Sequence, residues 1–167
     1  MSRLGAQPLT GSSRRAPIEG MSIESTHLDH AVRTLGASVL GLEFPVHGGD
    51  PIELAAGFTW AGLVQITGDF NGGFAIRCGT HVAETLARGL LEETEKLSDE
   101  MLQATLMELA YVVAGALEPL MDGELNLAPA RCMQGASVAR LGATSKVEVR
   151  SVYEVGGEAL EVALFRS

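Results

Sequence analysis

Residues 58–91 read FTWAGLVQITGDFNGGFAIRCGTHVAETLARGLL, and this run decides the fold. Positions 58–67 are β-branched and apolar, and in 73–78 Phe74, Ile76 and Cys78 alternate onto one face, so two strands are expected. Between them Gly68, Asp69, Phe70, Asn71 and Gly72 supply the small and left-handed-tolerant residues of a hairpin connection. A phosphate-cradling loop is the alternative for so many glycines. It fails because no Lys-Ser/Thr follows and the segment leads into a strand instead of a helix. Thr80 then opens a helix with Val82, Leu86 and Leu90 inward.

Upstream of this run, Leu28, Val32, Leu35, Val39 and Leu42 recur at spacings of four and three, the stripe of one helical face. Ser25 or Thr26 is the expected cap, Gly41 with Pro45 ends the helix, and 45–51 (PVHGGDP) form a turn-rich link. Downstream, Ser98 caps a longer helix with Asp99 and Glu100 in its first turn, where the helix dipole favours anions. Its apolar stripe is Leu102, Leu106, Leu109, Val113, Leu117 and Leu120, and it ends near Asp122-Gly123 or a little earlier at Pro119. Three strand-like runs follow Pro129, at 131–139, 146–153 and 159–165. In the second, Lys146, Glu148 and Arg150 alternate with Val147 and Val149 as on a half-exposed sheet face, and Gly156-Gly157 marks the last hairpin. Helix, two strands, two helices and three strands make an α+β layer fold, with helices packed on one face of a mostly antiparallel sheet.

Composition bounds the function. The 167 residues hold 12 Lys+Arg against 21 Asp+Glu, a net charge of −9, with 46% hydrophobic and 20% charged residues. That balance excludes a disordered polyelectrolyte and suits one domain with a full core. A net anion gains nothing from phosphate counterion release, so nucleic acid is not an expected partner. No uninterrupted apolar run approaches the ~18 residues that spanning a bilayer needs, so no membrane is expected either. Two cysteines, Cys78 and Cys132, do not make a disulfide framework, and a reducing, cytoplasmic setting is expected. Residues 1–22 lack any period and read as a disordered, locally basic tail with Arg3, Arg14 and Arg15 against Glu19. They lack the roughly 7–15-residue apolar stretch of a secretory signal, and Met21 is a second candidate start. The domain is then 23–167. Most of the negative charge is local, because residues 84–124 hold ten acids against Arg88 and Lys96.

The face of the long helix opposite its apolar stripe carries Glu100, Ala104, Glu108, Tyr111, Gly115, Glu118 and Asp122. Tyr111 is a large ring in an acidic line: a binding-surface anchor, a core-edge ring, or a position without a role. Gly115 costs a helix about 1 kcal/mol against alanine, which close approach of another backbone or a flat docking surface would explain.

Three stretches together carry a resemblance: 58–79 (FTWAGLVQITGDFNGGFAIRCG), 81–91 (HVAETLARGLL) and 108–117 (ELAYVVAGAL). They resemble the CheX branch of the CheC/CheX/FliY chemotaxis phosphatases, over roughly residues 25–165. The resemblance implies a CheC/CheX-like fold and a CheY-like response-regulator receiver domain as partner, in two-component chemotaxis signalling. Proteins of this family remove the phosphoryl group from the receiver's aspartyl phosphate. The receiver itself holds the Mg2+, so no cofactor or metal of the chain's own is implied, and the phosphatase only positions a water for in-line attack. In the family a Glu pairs with a receiver lysine, an Asn three residues later orients the water, and a polar residue often stands four before the Glu. Glu108 matches the docking glutamate, whereas Tyr111 stands at the Asn position and Ala104 at the upstream one. The implied receiver-docking surface is Ala104, Glu108, Tyr111 and Gly115, with Glu108 and Tyr111 the candidate catalytic pair. Two readings follow: a receiver-binding module with weak or no phosphatase activity, or an active aspartyl-phosphate phosphatase (a hydrolase) with a modified motif. A homodimer joined through sheet edges is a further implication.

Other chemistry is weaker. Cys78, His81 and Cys132 with His47 have the residue types of a zinc site, but Cys78 falls in strand alternation, where a free cysteine is a small buried hydrophobe. His27 and His30 read as polar surface residues, and no nucleophile-base set is supported by its loop chemistry.

Overall fold

The computed structural model describes residues 23–47, 54, 56–92 and 95–167, so the segment 1–22 and residues 48–51 of the 45–51 link lie outside the described residues. At the centre of the sheet is β2 (Gly72–Cys78), buried along its whole length. It pairs antiparallel with β1 (Trp60–Gly68) on one side and β6 (Glu158–Arg166) on the other. β5 (Lys146–Val155) lies outside β6, to which it is joined by Gly156 and Gly157 at φ +59° and +83°. Two positive values in a two-residue link are what a primed hairpin turn requires. The far flank of β1 is shared by two short strands, β3 (Leu125–Leu127) against Ile66–Gly68 and β4 (Arg131–Gln134) against Trp60–Leu63. Pro129 stands between them, where a residue without an amide proton interrupts the ladder.

Three α-helices, α1 (Ser25–Leu35), α2 (Thr80–Leu91) and α3 (Asp99–Leu117), pack on one face of this sheet. Leu102, Leu106, Leu109, Val113 and Leu117 of α3 are all buried against it. The approach is close: a Cβ at Gly62 would stand 2.2 Å from the Leu106 carbonyl oxygen, so only glycine lets α3 seat on β1. The opposite face is partly covered by Phe58 and a 3-10 turn (Ala136–Arg140), which enclose Ala61, Val138, Val152 and Ala159. Under that turn Arg77 and Glu161 form a buried two-pronged ion pair, with Nη2 to Oε2 at 3.1 Å. Arg77 Nη1 donates to the Val138 and Ala139 carbonyls at 3.2 and 3.3 Å, and its guanidinium lies 5.2 Å from the Phe58 ring centre.

The α+β class, the hairpin, the three helices on one face and the Ser98 cap (Met101 amide to Oγ, 3.3 Å) agree with the sequence expectations. Several details do not. The cap of α1 is Glu24, not Ser25 or Thr26, and its amide donates to His27 Nδ1 at 3.1 Å. The stripe predicted through Val39 breaks, because residues Gly36–Leu40 form a π turn. One extra residue per turn rotates Val39 out, at 48% exposed, and brings Leu40 in at 5%. Leu120 is likewise exposed, at 48%, since α3 stops at Leu117 and Pro119 sits in a 3-10 turn (Glu118–Leu120). The run at 131–139 is a strand only to Gln134; Gly135, at φ +97°, turns the chain into the 3-10 segment. A β-bulge between Val147 and Val149 breaks the expected alternation, leaving Val147 exposed and Val149 buried. β3 was not anticipated. Counting uninterrupted apolar residues also understated Asp99–Leu120, which by length and composition is apolar enough to cross a membrane. In this fold it is the helix seated on β1 and β2.

Candidate functional site on the outer face of α3

Three local devices position α3. Ser98 caps its start, Gly62 sets its distance from the sheet, and Asp69 of the β1–β2 turn holds the chain that leaves it. Asp69 Oδ2 accepts from the Glu124 amide at 2.7 Å, directly after Gly123 at φ +96°. The helix is therefore tethered at both ends, and the residues opposite its buried stripe face outward in fixed order.

On that outer face Glu100, Ala104, Glu108, Tyr111 and Asp122 are exposed, and Gly115 and Glu118 are partly so. Tyr111 keeps 47% of its surface, which removes the core-edge reading. Among the described residues neither Glu108 nor Tyr111 has a hydrogen bond or an ion pair. A Cβ at Gly115 would meet nothing within 4 Å, so among the described residues no backbone approaches it closely. Among the described residues Gly115 therefore faces open space. Val112, next to Tyr111 in α3, is 39% exposed, and Leu120, in the turn beyond the helix, is exposed as well. The sequence reading missed both, because Val112 lies off the charged line and Leu120 follows the helix period only until Pro119.

Charge around this patch has one sign. From 97 to 130 the chain has six acids (Asp99, Glu100, Glu108, Glu118, Asp122, Glu124) and no Lys, Arg or His. Glu118 stands at the C-terminal end of α3, where the helix dipole is already negative, and the last turn has no basic residue to offset it. Such a surface accepts a cation at Glu108 and offers apolar contact and one phenolic hydroxyl at Tyr111. Among Ala104, Glu108, Tyr111 and Gly115 no side chain carries an amide.

The other candidates lie elsewhere. The Cys78 side chain is wholly buried and burial pushes its thiol pKa up; burial raises that of Cys132 as well, so neither is poised as a thiolate. His47 and Glu158 border a cleft of about 290 Å³ with Phe58, which includes no residue of α3. No three His, Cys, Asp or Glu among the described residues are placed to hold a metal ion together.

The family described as "Chemotaxis phosphatase CheX" matches residues 60–150, from β1 to β5. Among solved structures the chain is similar to chemotaxis protein CheX from Vibrio vulnificus, with 13% identity over 85% of this chain and 95% of that one, at a TM-score of 0.66. It is similar to the CheX-CheY-BeF3-Mg complex from Borrelia burgdorferi, with 19% identity over 87% of this chain and 99% of that chain, at a TM-score of 0.70. The FliM middle domain from Vibrio alginolyticus is a more distant likeness, with 14% identity over 84% and 88% and a TM-score of 0.50. At these identities the likeness is one of fold. No curated protein sequence matches the chain.

Proposed function

The chain belongs to the chemotaxis phosphatase CheX family, and on that premise we propose that it docks on the phosphorylated receiver domain of a CheY-like response regulator. The outer face of α3 is the docking surface, built from Ala104, Glu108, Tyr111 and Gly115. The observation that carries this reading is the exposed, unpartnered pair Glu108 and Tyr111, one turn apart on a helix face that nothing described in the chain covers. Glu108 offers a carboxylate to a receiver lysine, and Gly115 lets the receiver backbone lie flat against the helix.

Catalysis by this surface is weak or absent in the same proposal. In-line attack on an aspartyl phosphate needs a water held in place beside a Mg2+ that the receiver supplies. Tyr111 brings one hydroxyl on a long rigid ring where the family has a short amide, so α3 stops further from the phosphoryl group. The protein then acts as a receiver-binding module of chemotaxis-type signalling in the cytoplasm. A homodimer joined through a sheet edge belongs to the same reading, with sedimentation of the full chain as its test.

Titration of a receiver in its BeF3- and Mg2+-bound state with the full chain tests the docking. Saturable binding that Glu108→Ala weakens about tenfold, the loss of one charge-assisted contact, is expected. No binding, or binding indifferent to Glu108 and Tyr111, contradicts it.

A further inference from the structure

The sheet face away from the helices is only partly covered, and its open half has the chemistry to receive an acidic helix. Gly62 faces Leu106 of α3, so Leu63 faces the other way. The register then places Arg131, Leu63, Ala75, Ala163 and Arg150 in one row across β4, β1, β2, β6 and β5. The next row is Gln65, Gly73, Phe165 and Val147, with the Phe165 ring lying over Gly73. Leu63 and Phe165 are partly exposed and Val147 is exposed. An antiparallel sheet face left to water alternates polar residues onto that side, whereas Gln65 is the one uncharged polar residue in these two rows.

Neither row contains an acid. Arg131 is exposed and in no ion pair among the described residues, and the same is true of Arg140 on the turn that covers the other half of this face. Arg150 shares Glu161 with Arg77, at 3.0 Å, so two guanidiniums face one carboxylate and a positive charge is left over. We propose that this open sheet face binds the outer face of α3 of a second copy, head to tail. The two surfaces match in sign and in order. Four strand spacings put Arg131 and Arg150 about 19 Å apart, with Leu63, Ala75 and Ala163 between them. On α3, Glu108 and Glu118 stand about 15 Å apart along the axis, with Tyr111, Val112 and Gly115 in the interval. The stretch 97–130 has six acids and no cation to oppose the arginines. Like faces do not pair, because sheet against sheet opposes arginines and α3 against α3 opposes acids. The net charge of −9 repels whole copies, but at physiological salt that field is screened beyond about 8 Å and the contacting faces decide. The two faces lie on opposite sides of the sheet, so the contact is heterologous and adds copies in series.

A copy seated on α3 also blocks the docking surface, a consequence that rests on the receiver docking proposed above. The self-contact does not rest on it, and its test contains no receiver. Sedimentation velocity of the full chain over a range of concentrations reads it. The mean mass is expected to rise past two chains with concentration and to fall in about 0.5 M salt, where exposed charges are screened. A sheet-edge dimer alone stops at two chains, so the two associations read differently. Glu108→Gln with Glu118→Gln on the helix face, or Gln65→Glu with Arg131→Glu on the sheet face, is expected to weaken association about tenfold. All four positions are exposed or partly exposed, so the fold is kept. Mixed in equal amounts, the two variants are expected to join their intact faces in a complex heavier than either forms alone. A mass that never exceeds two chains, growth that the helix-face variant leaves unchanged, or a mixture no heavier than its parts overturns the proposal.

Discussion

Asp69 and Glu124 exchange two hydrogen bonds: the Asp69 amide donates to the Glu124 carbonyl at 2.9 Å, and Asp69 Oδ2 accepts from the Glu124 amide at 2.7 Å. The turn of the first hairpin is thereby fastened to the segment that leaves α3, some fifty residues later. The carboxylate also fills the space beside Gly123, where an added Cβ would come within 2.4 Å of it. Asp69→Ala is expected to cost about 1–2 kcal/mol, read as a lower urea midpoint with faster amide exchange at Glu124. Gly123→Ala loses more, since it meets Asp69 and strains a φ of +96°. Unchanged exchange at Glu124 in Asp69→Ala would mean the tether is not what holds this end of α3.

Gly62 and Gly115 make opposite predictions. At Gly62 a methyl group collides with the Leu106 carbonyl, so Gly62→Ala is expected to lower stability by about 1–3 kcal/mol and to displace α3 from β1. At Gly115 the methyl group enters open space. Gly115→Ala should stabilise the protein by about 0.5–1 kcal/mol through helix propensity while weakening receiver binding. A thermal melt and a binding titration on the same variant check both halves, and tighter binding by Gly115→Ala contradicts the docking role.

The buried pair Arg77–Glu161 should behave as a coupled unit. Removing Glu161 strands the Arg77 charge under the turn at Ala136–Arg140 and costs about 3–5 kcal/mol, whereas removing Arg77 costs less because Glu161 keeps Arg150 at 3.0 Å. Arg77→Met with Glu161→Leu is expected to cost less than Glu161→Leu alone, which a double-mutant cycle in urea measures directly.

Alkaline pH should unfold the protein earlier than its acids and bases alone suggest. The Tyr153 side chain is wholly buried, its hydroxyl has no hydrogen-bond partner among the described residues, and burial pushes its pKa up to about 12. A phenol raised in the folded state favours folding while protonated, so this contribution is complete below about pH 10 and is lost as pH rises through 12. Burial of Cys78 acts in the same direction from about pH 9. Tyr153→Phe should remove part of the fall in denaturation midpoint above pH 10 and cost little at neutral pH, where the unsatisfied hydroxyl is itself unfavourable. An unchanged alkaline profile in that variant would assign the fall to other groups.

What could be read from the sequence follows from how local the cause is. The β1–β2 hairpin, the Ser98 cap and the buried stripe from Leu102 to Leu117 depend on residues within a few positions of one another, and all were legible. The π turn was not, because it depends on Gly36 lying against Phe44 and the Leu42 carbonyl, a contact that periodicity does not encode. β3 is three residues long and exists through its pairing with Ile66, Thr67 and Gly68. The turn at Ala136–Arg140 looked like a strand because its capping partner, Arg77, lies some sixty residues away. For the site, the spacing of Ala104, Glu108, Tyr111 and Gly115 already put them on one face. Only the fold could show that Tyr111 is exposed and that, among the described residues, no backbone approaches Gly115.

The central claim is a face of α3 that holds a phosphorylated receiver without hydrolysing it efficiently, because Tyr111 occupies the place of a water-orienting amide. Decay of a phosphorylated CheY-like receiver, followed with and without the full chain and with Tyr111→Asn, tests it most directly. The account predicts little or no acceleration by the natural sequence and a clear gain, on the order of 10²-fold over it, when the amide is restored. Strong acceleration by the natural sequence that is lost in Glu108→Ala would contradict it and make the chain an active phosphatase.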